Sequence, residues 1–97
     1  MADAALPGLG ADKTLLLVDD DEPFLRRLAK AMEKRGCEIE TADSVAGGKA
    51  IATARPPAYA VVDLRLEDGN GLDVVEVLRD RRPDTRVVVL TGYGAIA

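Results

Sequence analysis

Histidine is absent from the 97-residue chain, and cysteine occurs once, at Cys37. Those shortages exclude a Cys/His zinc site, an internal disulfide and every Ser-His or Cys-His nucleophile pair. Basic residues are outnumbered: 13 Lys and Arg against 17 Asp and Glu leave a net charge of −4 and a pI near 4.7. Phosphate backbones are gripped by clustered Lys and Arg, so this segment is not expected to bind nucleic acid itself. Long hydrophobic runs are missing too. The longest uncharged stretch, residues 87–97, has 11 residues, against the roughly 20 needed to span a bilayer, so no membrane partner is expected. Residues 1–13 lack both the basic start and the apolar core of a secretory signal, and one unpaired cysteine fits a cytoplasmic location. What is present, 47% apolar and 31% charged residues, is the profile of one soluble globular domain. Any chemistry here must be run by carboxylates.

Residues 1–13, rich in Gly, Pro and Ala, read as a flexible tail. The apolar run Thr14-Leu15-Leu16-Leu17-Val18 stops at three aspartates, which suits a central strand covered on both faces. Asp21, Glu22 and Pro23 are helix-start chemistry. Leu25, Leu28 and Met32 then mark an apolar stripe, with Gly36 as the stop. Cys37, Ile39 and Thr41 alternate with Glu38 and Glu40, the pattern of a strand with one wetter face. Cys37 is expected to be a buried structural thiol. Ser44 caps a second predicted helix running to about Ala54, weakened by Gly47 and Gly48 and stopped by Pro56 and Pro57. A third apolar strand, residues 58–62, leads into Asp63. Residues 64–70 read as an acidic, Gly-containing loop. Leu72, Val75 and Leu78 mark a third helix closed by Pro83, and residues 86–90 form a fourth strand ending at Thr91 and Gly92. The order β-α-β-α-β-α-β with short connections predicts right-handed crossovers and an α/β doubly wound parallel sheet.

In such sheets the ligand crevice lies at the carboxyl ends of the strands. Asp19 and Asp20 end the first strand, Asp63 the third and Thr91 the fourth. Each alone has a plain reading: a turn and cap, a loop start, a strand exit. Together, at matching ends of successive strands, they gather three carboxylates and a hydroxyl in one pocket. Packed carboxylates repel unless a hard divalent cation intervenes, and Mg2+ is the natural candidate for an all-oxygen set.

Leu15-Leu16-Leu17-Val18-Asp19-Asp20-Asp21, Ala60-Val61-Val62-Asp63-Leu64-Arg65-Leu66 and Val88-Val89-Leu90-Thr91-Gly92 resemble the receiver domain of bacterial two-component response regulators. Asn70-Gly71-Leu72 resembles that family's turn into its third helix. The likeness covers residues 14–97. Asp63 through Gly71 and Leu90 through Gly94 look most like the RegA/PrrA/ActR-type global redox regulators within the family. The resemblance implies a flavodoxin-like (CheY-like) sheet of order 2-1-3-4-5, of which four of five strands are in the chain. It implies that Asp63 is the phosphoacceptor, receiving a phosphoryl group from a phosphohistidine of a sensor histidine kinase. Asp20 would be a direct Mg2+ ligand, Asp19 a ligand mainly through water, and the Arg65 main-chain carbonyl a further ligand beside Asp63. Thr91 would be the switch hydroxyl and Gly92 the small residue leaving room for the phosphoryl group, with Asp21 a cap. The role is that of a phosphoacceptor, not a turnover enzyme.

Two departures stand out. Glu67 occupies the place where the family often has proline, so a different loop shape is expected. The chain also stops before the family's fifth strand, its lysine and any DNA-binding output domain, through which alone DNA and transcription would be reached. A truncated receiver is therefore expected, with its fourth strand an unprotected apolar edge, prone to pair as a homodimer or swap strands with another copy. The rivals are weaker. Asp19-x-Asp21 resembles the nucleophile motif of haloacid-dehalogenase-type phosphatases, but Pro23 stands where that family expects Thr or Val. The loop from Asp63 to Asn70 lacks the ligand pattern of an EF-hand. A non-phosphorylated interaction module is the remaining alternative.

Overall fold

The computed structural model describes residues 11–91 and 95–96. Four strands, β1 (Thr14–Val18), β2 (Glu38–Ala42), β3 (Tyr59–Asp63) and β6 (Arg86–Leu90), pair in parallel. Two short strands, β4 (Arg65–Leu66) and β5 (Gly69–Asn70), form a separate antiparallel pair, and β7 (Ala95–Ile96) lies antiparallel against β6. The main sheet runs β2-β1-β3-β6-β7. Its helices are α1 (Glu22–Lys34), α2 (Val45–Ala54) and α3 (Leu72–Arg81).

The unbroken apolar run of β1 is explained by what covers it. Leu15 and Leu17 are buried with Leu25 and Cys37 in a cluster on the α1 side. Leu16 and Val18, pointing the other way, are buried with Val62, Val74 and Leu78 on the side of α2 and α3. Alternate residues of one strand thus feed two cores, and burying each such side chain is worth roughly 1.5–3 kcal/mol. Cys37 sits just ahead of β2, buried, and burial pushes its thiol pKa up.

Several local expectations hold. Asp21 caps α1, its side chain accepting from the Phe24 N–H at 3.2 Å. Ser44 caps α2 through the Gly47 N–H at 2.9 Å. Gly36, after α1, has a φ of 92°, a conformation that side chains with a Cβ disfavour.

Others are corrected. Residues 64–70 are not a plain loop: they hold the hairpin β4–β5, whose register Leu66↔Gly69 leaves Glu67 and Asp68 as the turn. The edge of β6 is covered over its last two residues, where β7 pairs with Val89 and Leu90. The described part of the expected tail is anchored. Glu38 N–H donates to the Lys13 carbonyl at 2.9 Å, and Arg82 Nη1 donates to Asp12 at 2.9 Å. Residues 1–10 and Gly92 lie outside the described residues. Among the described residues no helix is long and apolar enough to cross a membrane.

Candidate functional site

Parallel pairing of β1, β3 and β6 brings their carboxyl ends to one rim. The register Val18↔Val62 and Asp63↔Leu90 puts Asp19 and Asp20 one and two steps past β1, Asp63 at the last position of β3, and Thr91 one step past β6. Asp19, Asp20 and Asp63 each offer a carboxylate oxygen within 4.8 Å of the others. The three differ in exposure. Asp19 is 8% exposed, Asp63 half-buried and Asp20 exposed.

Burial is the main reason the Asp19 pKa is raised, and the charges of Asp63, Asp20 and Asp21 push it the same way. The Asp21 N–H opposes them by donating to Asp19 Oδ1 at 2.9 Å. A buried carboxylate facing other carboxylates, with one backbone donor in compensation, is a site with an electrostatic deficit of positive charge. Its donor set is all oxygen, the preference of a hard cation, and lacks the nitrogen or sulfur that zinc or copper favours.

Asp63 is held by the chain that follows it. The Arg65 N–H donates to Asp63 Oδ1 at 3.2 Å, and the Leu64 N–H extends the sheet to the Leu90 carbonyl at 3.0 Å. The hairpin then returns so that the Gly71 N–H donates to the Leu64 carbonyl at 2.9 Å. At Gly71 a Cβ would lie 2.1 Å from the Asp63 carbonyl oxygen and 2.8 Å from Val62 Cγ1, so only glycine allows this approach. That requirement is invisible in Asn70-Gly71-Leu72 read as a turn, although a glycine opening a helix is the signal that could have prompted it. Thr91 is half-buried beside this rim.

The sequence reading also missed Asp68. It looked like one more acid in a solvated loop, yet its carboxylate accepts from the Val45 and Ala46 N–H groups at 2.8 and 3.0 Å. The phosphatase-like motif, by contrast, loses its second aspartate, since Asp21 is engaged as the cap of α1.

Comparison with known proteins agrees with this architecture. Residues 15–97 match the family model described as the response regulator receiver domain. The chain is 81% identical over 97 residues to the photosynthetic apparatus regulatory protein RegA of Cereibacter sphaeroides, covering 100% of this chain and 53% of that protein. It is 65% identical over 96 residues to the acid tolerance regulatory protein ActR of Rhizobium meliloti, covering 99% of this chain and 48% of that one. The chain thus spans about half the length of the curated relatives it matches. Among solved structures, a response regulator from Burkholderia pseudomallei with a phosphorylated aspartic acid, calcium ion and citrate is 37% identical. It superimposes with a TM-score of 0.79 over 86% of this chain and 49% of that one. Strand order, the carboxylate rim and these likenesses converge: the chain belongs to the response regulator receiver domain family.

Proposed function

We propose that this chain is the phosphoacceptor of a two-component relay, with Asp63 taking a phosphoryl group from a phosphohistidine on a sensor histidine kinase. The observation that carries the proposal is the convergence of Asp19, Asp20 and Asp63 within 4.8 Å at the carboxyl rim of the sheet. This donor set fits Mg2+. Asp20 and Asp63 would hold it directly, Asp19 mainly through water, and the Arg65 carbonyl would complete the protein's share. When bound, the ion supplies positive charge that offsets repulsion between the anionic acceptor and the anionic phosphoryl group.

The chain's own groups do the rest. Arg65 N–H holds Asp63 Oδ1, so attack falls to the other carboxylate oxygen. An O–P bond forms, the P–N bond of the phosphohistidine breaks, and the imidazole leaves with its electron pair. Phosphoryl transfer of this kind depends mostly on alignment and charge compensation. Thr91, one step beyond the residue registered with Asp63, turns its hydroxyl toward the new acyl phosphate, and Gly92 would be the small residue beside it. The added charge thereby biases the end of β6 between two positions. The chain is labelled once rather than turning over substrate. It acts in the cytoplasm, and in the whole protein the signal passes to a DNA-binding output domain that regulates transcription.

Phosphoramidate labelling tests the proposal. Wild type is expected to take label in Mg2+, Asp63→Asn none, and Asp20→Ala to need a much higher Mg2+ concentration. Equal labelling of wild type and Asp63→Asn overturns it.

A further inference from the structure

The hairpin β4–β5 adds no carboxylate to the cluster of Asp19, Asp20 and Asp63, but its tip is tied across the molecule. Asp68 Oδ1 accepts from the Val45 N–H and Oδ2 from the Ala46 N–H, residues 23 and 22 positions earlier. Ser44 takes the next two amides of α2, Gly47 through its hydroxyl and Gly48 through its carbonyl. All four N–H groups of the first turn are therefore satisfied, half of them by a residue from another element. With both oxygens engaged, Asp68 stands apart from the metal-ligand group, and those two N–H donors lower its pKa.

A hairpin with two residues per strand has little stability of its own. This one is held at its tip by Asp68, at its side by buried Leu66, and at its base by Gly71. The base is what grips Asp63. Arg65 in β4 donates to the carboxylate, and Gly71 after β5 seats against the Asp63 carbonyl. Fixing the tip therefore fixes the frame that aims the carboxylate.

We propose that Asp68 is a positioning residue for the Asp63 site, its carboxylate clamping the hairpin to the first two amides of α2 so that the hairpin's base holds Asp63 and Arg65 in place. The consequence for Mg2+ binding rests on the phosphoacceptor reading, whereas the consequence for the hairpin's order does not.

Amide hydrogen exchange and Mg2+ titration of the whole chain test this with Asp68→Ala and Asp68→Asn. In Asp68→Ala the Arg65 and Gly71 amides are expected to exchange about tenfold faster, while β1 and β3 amides keep wild-type protection. Mg2+ affinity should fall several-fold. Asp68→Asn, which retains one acceptor oxygen, should recover part of both losses. Faster exchange confined to Val45 and Ala46, with Arg65, Gly71 and Mg2+ affinity at wild-type values, overturns the proposal. A wild-type chain that binds no Mg2+ counts against the phosphoacceptor reading instead, and exchange at Arg65 and Gly71 then decides the role of Asp68.

Discussion

Gly71 shows how one missing side chain shapes a functional rim. Its Cα rests where a Cβ would meet the Asp63 carbonyl at 2.1 Å, well inside van der Waals contact. The Cβ position is fixed by the backbone and the carbonyl oxygen is part of it, so no rotamer change relieves the clash. Gly71→Ala is expected to destabilise the fold by about 1–3 kcal/mol, the usual range for overpacking, and to displace Asp63. Urea unfolding checks the first effect, and the Asp63 amide chemical shift the second. Unchanged stability with an unchanged shift would show that the contact is not needed. At this scale the sequence is uneven in what it reveals. Asp19, Asp20 and Asp63 are legible because an acid after an apolar strand is a visible contrast. Asp68 and Gly71 are not, because their partners are backbone atoms of distant residues, and no composition or period encodes those.

The elements themselves are more legible. The strands and helices follow from apolar period and from caps such as Asp21 and Ser44, whose chemistry is local. The hairpin β4–β5 is the exception: strands of two residues carry no period, and its order comes from Leu66 in the core and Asp68 on α2. The start of the sheet is another tertiary effect. Asp12 accepts from Thr14 N–H and Oγ1 and from Arg82 Nη1, joining the entry to β1 with the turn after α3. The Thr14 hydrogen bonds, helped by Arg82, lower its pKa from 3.8 to about 2. A folded pKa below the unfolded one stabilises the fold above pH 3.8 and loses that effect as pH falls through about 2. The stability difference between wild type and Asp12→Asn should therefore be present near about pH 5 and close toward about pH 2. Urea midpoints across that range check it, and a gap that does not change with pH would contradict it.

For the whole molecule, the rim of like charges makes stability and ligand binding one problem. Without a cation, Asp63→Asn removes repulsion against buried Asp19, so in Mg2+-free buffer it should stabilise the fold by on the order of 0.5–1 kcal/mol. Added Mg2+ should raise the melting temperature of wild type, since it binds the folded state, and raise that of Asp63→Asn less. Equal responses in the two proteins would detach Asp63 from the cation site. The parallel sheet on which this rests is legible from the βα order, but the pairing of β7 with β6 is not, because Ala95–Ile96 has no strand signal beyond its partner. The most direct test of the central claim is peptide-mapped phosphoryl labelling of wild type with and without Mg2+. One phosphoryl group per chain, located at Asp63 and formed only with Mg2+, is the predicted result; label on another residue, or label indifferent to Mg2+ removal, would contradict it.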